Sequence, residues 1–193
     1  MRILTGRFKG RKLLPPPSGA TTRPITGRIK KSLFDMLGEL LAGATVVDLY
    51  CGTGSMGLEA LSRGARACAF AERDRRVVAR LRRNIEAVGA SEACTIWAGD
   101  LAKGLSRRLD ALGSPVDVAF VDPPFAAARQ WSWAAVGGTI FAPLGERLSA
   151  GGVVSLRLPR GIEPPEAVGG LTVRRVRQYG GSVLALLGPE RTT

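Results

Sequence analysis

Residues 45–57 read TVVDLYCGTGSMG, a short apolar run that passes directly into a glycine-rich turn. Thr45 to Tyr50 have the length and β-branched content of a buried strand. Gly52, Gly54 and Gly57 then fall at the G-x-G-x-x-G spacing used where a strand turns into a helix over a nucleotide-bearing ligand. Glycines at 52 and 54 let the main chain approach that ligand, and the helix N-terminus behind them offers unpaired N–H groups. The loop therefore points to an α/β fold without saying which ligand it holds.

The strand–helix alternation continues beyond it. Residues 55–63 are helical in pattern, ACAFAE (67–72) extended, 74–88 helical, CTIWAG (94–99) extended, 101–112 helical and VDVAFVD (116–122) extended; a loop and helix then lead to the strand GGVVSLRL (151–158). Such alternation specifies a parallel sheet covered on both faces. LTVRRVRQYGGSVLALLG (171–188) differs, two strands about Gly180-Gly181 that form a hairpin. Upstream, residues 2–14 alternate around Gly6 and Gly10 as a short β-hairpin, and PPPSG (15–19) breaks the chain. From Thr26, apolar side chains at Ile29, Leu33, Phe34, Leu37, Leu40 and Leu41 keep helical spacing, with Gly43 expected to close the helix.

A chain of 193 residues, 45% hydrophobic and 23% charged, suits one α/β domain with a small appendage. It holds no apolar run near twenty residues, and MRILTGRFKGRKLLPPP (1–17) has no apolar core of a secretory signal, so a cytoplasmic location is expected. Cys51, Cys68 and Cys94 are odd in number and widely spaced among apolar or small neighbours, which suits buried reduced thiols. No histidine is present, which removes Ser-His-Asp and Cys-His catalysis and histidine zinc sites. The net charge of +12 is unevenly placed: residues 1–34 hold nine basic side chains (Arg2, Arg7, Lys9, Arg11, Lys12, Arg23, Arg28, Lys30, Lys31) and no acidic one. Such a patch attracts polyanions by counterion release, so a nucleic-acid partner is expected.

In an open parallel sheet the ligand lies beyond the carboxyl ends of the strands, near the point where strand order reverses. Asp48 to Gly54, Glu72, Asp100 and Asp122 to Phe125 fall on that rim. Glu72, twenty residues after Gly52, suits ribose hydroxyls in NAD and in S-adenosylmethionine alike. Asp48, four residues before Gly52, separates the two. A buried negative charge there suits the sulfonium and ammonium of S-adenosylmethionine and would repel a pyrophosphate, although Asp48 could also serve as an acceptor for the loop amides.

VDPPF (121–125) is the second deciding stretch. Its two prolines fix φ and remove two donors, so the carbonyls of Asp122 and Pro123 can face a substrate rather than enter the next helix. Carboxylate and carbonyl together can accept both hydrogens of an exocyclic NH₂, with Phe125 stacked on the ring that carries it. As a bare string it could equally be an ordinary turn.

DLYCGTGSMGLEALSRGA (48–65), AERDRRVVARLRRNI (71–85), AGD (98–100) and VDPPF together resemble the Rossmann-like, S-adenosylmethionine-dependent methyltransferases that act on exocyclic amines. RPITGRIKKSLFDML (23–37) and RRVRQYGGSVLALL (174–187) are similar, more narrowly, to the RsmD-like guanine-N2 methyltransferases of small-subunit (16S) ribosomal RNA. The resemblance covers nearly the whole chain and implies a class I methyltransferase fold, a seven-stranded, mostly parallel sheet ending in an antiparallel hairpin. It implies a basic extension over residues 1–42 that binds RNA and closes over the cofactor, and a catalytic domain over 43–193. Asp48, Cys51, Gly52 and Gly54 would contact the methionine part of the cofactor, Glu72 and Arg73 its ribose side, and Asp100 and Leu101 its adenine. Arg23, Pro24 and Thr26 would close over the methionine end. Asp122, Pro123, Pro124 and Phe125 would receive the guanine, and Arg2, Arg7, Lys9, Arg11, Lys12 and Arg28 the RNA phosphates. The expected partner is ribosomal RNA in the small subunit or its assembly intermediate, with no metal, no membrane and a monomeric enzyme.

Two features depart from the family pattern. The acidic residues usual after the tyrosine-glycine of the terminal hairpin and at the end of the fifth strand are replaced by Gly181 and the basic LRLPRG (156–161). The loop after Phe125 is long and rich in Ala and Trp; Trp131 and Trp133 there suit packing under the loop better than stacking on RNA bases. The rival readings are the same chemistry on adenine-N6 or a protein glutamine, an NAD-linked oxidoreductase, and an RNA-binding module without catalysis.

Overall fold

The computed structural model describes residues 1–20, 25–101 and 103–190, so Arg23 and Pro24 lie outside the described residues. Its strands are β1 (Thr45–Leu49), β2 (Ala67–Glu72), β3 (Cys94–Ala98), β4 (Val116–Val121), β5 (Leu148–Pro159), β6 (Ala167–Val168), β7 (Leu171–Tyr179) and β8 (Ser182–Pro189). They form one eight-stranded sheet in the order β3-β2-β1-β4-β5-β8-β7-β6. Strands β1 to β5 run parallel, and β8, β7 and β6 continue the sheet antiparallel. The expected count of seven is corrected by β6, whose two residues pair with Leu171 and Thr172. So short a strand has no periodicity to read.

The helices are α1 (Gly27–Leu37), α2 (Ser55–Ser62), α3 (Arg75–Val88), α4 (Leu105–Asp110), α5 (Phe125–Ala128), α6 (Trp133–Val136) and α7 (Ala142–Arg147). Helix α1 stops earlier than expected. Gly38 takes φ 50° and donates to the Phe34 carbonyl, and a 3₁₀ turn over Gly38–Leu41 keeps Leu41 buried. Helix α4 likewise begins only after Gly104, at φ 83°, rather than at 101.

Alternation along each strand divides the core. Val46 joins Phe34, Leu61, Phe70, Leu81 and Ile85 on the face covered by α1, α2 and α3. Val47 and Leu49 pack with Leu105, Leu109 and Leu144 on the face covered by α4 and α7. Cys51 and Cys68 are buried and Cys94, expected to be buried, is half-buried; all three are free thiols. Burial pushes the first two well above the ordinary range and Cys94 up to about 12, which suits packing rather than nucleophilic chemistry. Among the described residues no helix is long and apolar enough to cross a membrane.

The N-terminal hairpin is built on one Arg2–Lys12 bridge, with Ile3 N–H donating to the Arg11 carbonyl at 3.1 Å. Its apolar residues Ile3 and Leu13 enter the core beneath α1 to α3. Polar side chains of α2 hold it there. The Glu59 carboxylate accepts the amides of Leu4 (2.8 Å) and Thr5 (3.0 Å), and Ser62 Oγ accepts that of Phe8 (2.9 Å). Gly6 sits so close to the Ser62 carbonyl that a Cβ would lie 1.8 Å from its oxygen, which excludes every other residue at this turn.

Lys30 corrects the surface reading of the basic segment. It is 3% exposed, and its Nζ lies 2.9 Å from Glu59 and 2.9 Å from the Ser55 carbonyl. Burial pushes the Lys30 ammonium down despite the Glu59 charge. Burial alone would raise the Glu59 carboxyl, but Lys30, the Leu4 amide and Arg63 outweigh it and hold it below the usual range. Glu59→Gln is expected to cost about 3 kcal/mol in urea unfolding, because it strands a buried ammonium. Lys31→Ala, which breaks the exposed pair with Asp35, should cost less than about 0.5 kcal/mol. Equal losses in the two variants would show that the buried network does not fasten the hairpin.

Candidate active site

The strand order reverses between β1 and β4, and the connections leave toward opposite faces there, opening a crevice. A cavity of about 260 Å³ occupies it. Its walls bring together Asp48, Cys51, Gly52, Glu72, Arg73, Asp100, Leu101, Asp122, Pro123, Pro124 and Phe125, contributed by the ends of four neighbouring strands and their loops. Met1, Pro16, Ala20 and Ile25 of the N-terminal segment close one side. Thr26 does not line it; it precedes α1 and is exposed, as is Arg28. Arg2, Arg7, Lys9, Arg11 and Lys12 are on the hairpin, away from the walls of the cavity.

The glycine loop divides its work. Gly52, at φ 55°, lines the cavity and donates its amide to Glu72 at 3.1 Å. Gly54, expected to approach the ligand, does not line the cavity: a Cβ there would lie 2.5 Å from Leu81. A Cβ on Gly57 would lie 2.3 Å from the Phe70 ring. Both residues thus let α2 press against its neighbours, and the ligand side belongs to Gly52, Thr53 and Ser55. Tyr50 precedes them with φ 58°, a conformation that costs a non-glycine residue roughly 1–3 kcal/mol and turns the chain sharply at the rim.

Asp48 is 1% exposed and accepts the Gly57 amide at 2.8 Å. Burial, with help from Asp122 and Glu72, pushes its carboxyl up to about 7 against the pull of the Gly57 amide and Lys30. Asp48 therefore does fasten the loop, and burial keeps its negative charge costly unless a cation is brought to the cavity wall. Glu72 accepts the amides of Arg73 (2.8 Å) and Asp74 (2.9 Å) as well as Gly52. It organises two loops, with acceptor capacity to spare on Oε2, which among the described residues takes only the Gly52 amide. Asn84 on α3 joins the two halves of the wall, accepting from the Leu14 amide at 2.7 Å and donating to the Thr53 carbonyl at 2.9 Å.

A profile of the family described as "Conserved hypothetical protein 95" matches residues 1–188. The chain belongs to this family. The membership bears out the RsmD-like resemblance of the sequence. The chain is 29% identical to Bacillus subtilis YlbH, provisionally named an rRNA methyltransferase, over 93% of this chain and 94% of that one. It is 36% identical to the Escherichia coli ribosomal RNA small subunit methyltransferase D over 65% of this chain, a match that spans 60% of that protein. Among solved structures, Escherichia coli yhhF, provisionally named a methyltransferase, has 27% identity and a TM-score of 0.78, covering 100% of this chain and 99% of that one.

Within this family fold, the β4 end carries the Asp-Pro-Pro-Phe turn. The Pro124 carbonyl accepts the Ala128 amide at 3.0 Å, so α5 begins only beyond the two prolines, as their chemistry dictates. The unexpected member is Arg157. Its Nε and one terminal nitrogen lie 2.6 and 3.0 Å from the two Asp122 oxygens, and its guanidinium carbon sits 4.9 Å from the centre of the Phe125 ring. The basic end of the fifth strand was visible in the sequence; its pairing with Asp122 was not. Trp131 and Trp133 lie edge to face at 5.9 Å and pack on Phe141, as the packing reading expects.

Proposed function

We propose that the protein transfers a methyl group from S-adenosylmethionine to the exocyclic N2 amine of a guanine in small-subunit ribosomal RNA. The observation that carries this reading is the convergence of Asp48 and Asp122-Pro123-Pro124-Phe125 on one cavity at the β1/β4 reversal. The names of the YlbH and methyltransferase D relatives support ribosomal RNA as the substrate class.

The residues suit the cofactor. Thr53 Oγ1 is buried without a hydrogen-bond partner in a loop that lines the cavity, and Asp48 supplies negative potential for a cationic ligand. Asp48, Cys51, Gly52 and Thr53 would hold the methionine part, Glu72 and Arg73 the ribose side, and Asp100 with Leu101 the adenine. When bound, S-adenosylmethionine supplies an electrophilic methyl group. The chain's own part is to orient the amine: Asp122 and the Pro123 carbonyl accept N–H hydrogens while Phe125 stacks on the base, and positioning of this kind supplies much of a rate enhancement. Residues 1–42 act as the RNA-binding extension, with Arg2, Arg7, Lys9, Arg11, Lys12 and Arg28 as phosphate contacts. The enzyme is proposed to work as a cytoplasmic monomer.

Incubation with labelled cofactor and small subunits lacking the modification, followed by mapping of the labelled nucleotide, tests this directly. Label on a guanine N2 is the expected result. Label on adenine or on protein, or none, rejects it, and naked RNA and DNA run in parallel show whether the assembled subunit is required.

A further inference from the structure

Arg157 is 6% exposed and stands one residue beyond Leu156, the register partner of Val121, so parallel pairing of β4 and β5 sets it beside Asp122. The guanidinium meets the carboxylate through two parallel hydrogen bonds, the geometry in which a planar fork fixes both position and orientation. The same group lies over the Phe125 ring. Carboxylate, guanidinium and phenyl ring are thus linked through one side chain.

That linkage matters for what Asp122 can do. An ionised carboxylate only accepts hydrogen bonds, whereas a protonated one also donates and would oppose an amine N–H. Asp122 shares the cavity with Asp48 on β1 and Glu72 on β2, and with Tyr50, Arg73, Asp74 and Asp100 in the loops after them. In this surrounding, Arg157 is the cation among the described residues that pairs with it. Burial raises the Asp122 carboxyl, and the Arg157 charge and hydrogen bonds oppose that rise.

We propose that Arg157 is a positioning residue that keeps Asp122 ionised, acceptor-only and fixed in plane beside Phe125, so that the DPPF turn presents a preformed cradle to the substrate amine. Each carboxylate oxygen retains a lone pair beyond the one that Arg157 occupies, which leaves room for the incoming N–H. The proposal rests on the functional reading above for the identity of that amine, but not for the state of Asp122.

The test compares wild type, Arg157→Gln and Arg157→Lys. In ¹³C-labelled protein, with Asp122→Asn to assign the signal, the Asp122 carboxyl midpoint should move up by about one unit or more in Arg157→Gln and less in Arg157→Lys. In methyl transfer, Arg157→Gln should lose activity at neutral pH and regain it as the pH rises, while Arg157→Lys keeps a profile near that of wild type. An unmoved Asp122 midpoint, or a loss equal at every pH, overturns the proposal. Absence of transfer by the wild type would reject the functional reading instead, and the carboxyl titration would still decide the role of Arg157. Should Arg157→Gln fail to fold, Arg157→Met, which keeps an apolar stem and removes the charge, is titrated in its place, and an unmoved Asp122 midpoint there overturns the proposal.

Discussion

Asp122→Ala is expected to reduce methyl transfer by roughly a thousandfold or more while leaving S-adenosylhomocysteine binding within a few-fold of wild type. The substitution removes the acceptor proposed to face the amine, whereas the cofactor contacts proposed for Asp48, Gly52 and Glu72 stay in place. It also breaks the buried ion pair with Arg157, so lost stability adds to lost chemistry. Removing one partner of a buried ion pair costs on the order of 3–5 kcal/mol, and urea unfolding has to accompany the assay. Asp122→Asn separates the two effects, since its amide oxygen still meets one guanidinium nitrogen. Turnover near the wild-type rate in a folded Asp122→Ala protein would remove Asp122 from the chemistry.

The second large effect concerns Asp48. Its carboxyl sits at about 7 in the folded protein, above an unfolded value near 3.9, so between these limits the folded state binds more protons than the unfolded one. Stability is therefore greatest below about pH 4 and is lost as the pH rises through 7, by up to roughly 4 kcal/mol from this group alone. Asp48→Asn keeps an acceptor for the Gly57 amide and should flatten that slope, so ligand-free variant and wild type come together below about pH 4 and are furthest apart at pH 8. The variant should also bind S-adenosylmethionine on the order of 10- to 100-fold more weakly, and S-adenosylhomocysteine, which lacks the sulfonium charge, with a smaller loss. Calorimetric titrations giving equal losses for the two ligands would show that Asp48 does not read the sulfonium.

Much of this architecture was legible because β1, β2 and β4 are nearly continuous apolar runs with turn residues at both ends. Asp48, Glu72 and Asp122 stood out as the charged groups that end them. What escaped was whatever depends on partners distant in sequence. Lys30 looks like one more basic residue until Glu59 is brought to it from α2. Gly54 and Gly57 fit a ligand-approach spacing, yet Leu81 and Phe70 fill the space their missing side chains leave, a fact of packing that no spacing encodes. Arg157 was visible as an odd charge, but its meaning required the register that sets Leu156 beside Val121. Tyr50 carried no signal at all, since a left-handed tyrosine looks in sequence like the last residue of a strand.

The fastening of the N-terminal hairpin also constrains the order of events during synthesis. Leu4 and Thr5 find their acceptor 55 and 54 residues later, and Leu14 finds Asn84 70 residues later. During synthesis these residues must therefore wait until α2 and then α3 have emerged before they can settle. Closing loops of that length slows folding more than it weakens the finished structure. During that interval Ile3 and Leu13 are without their core, and the cavity lacks the wall that Met1, Pro16 and Ala20 provide. A nascent chain thus completes the walls of this cavity late, when the hairpin and the segment after it take their places.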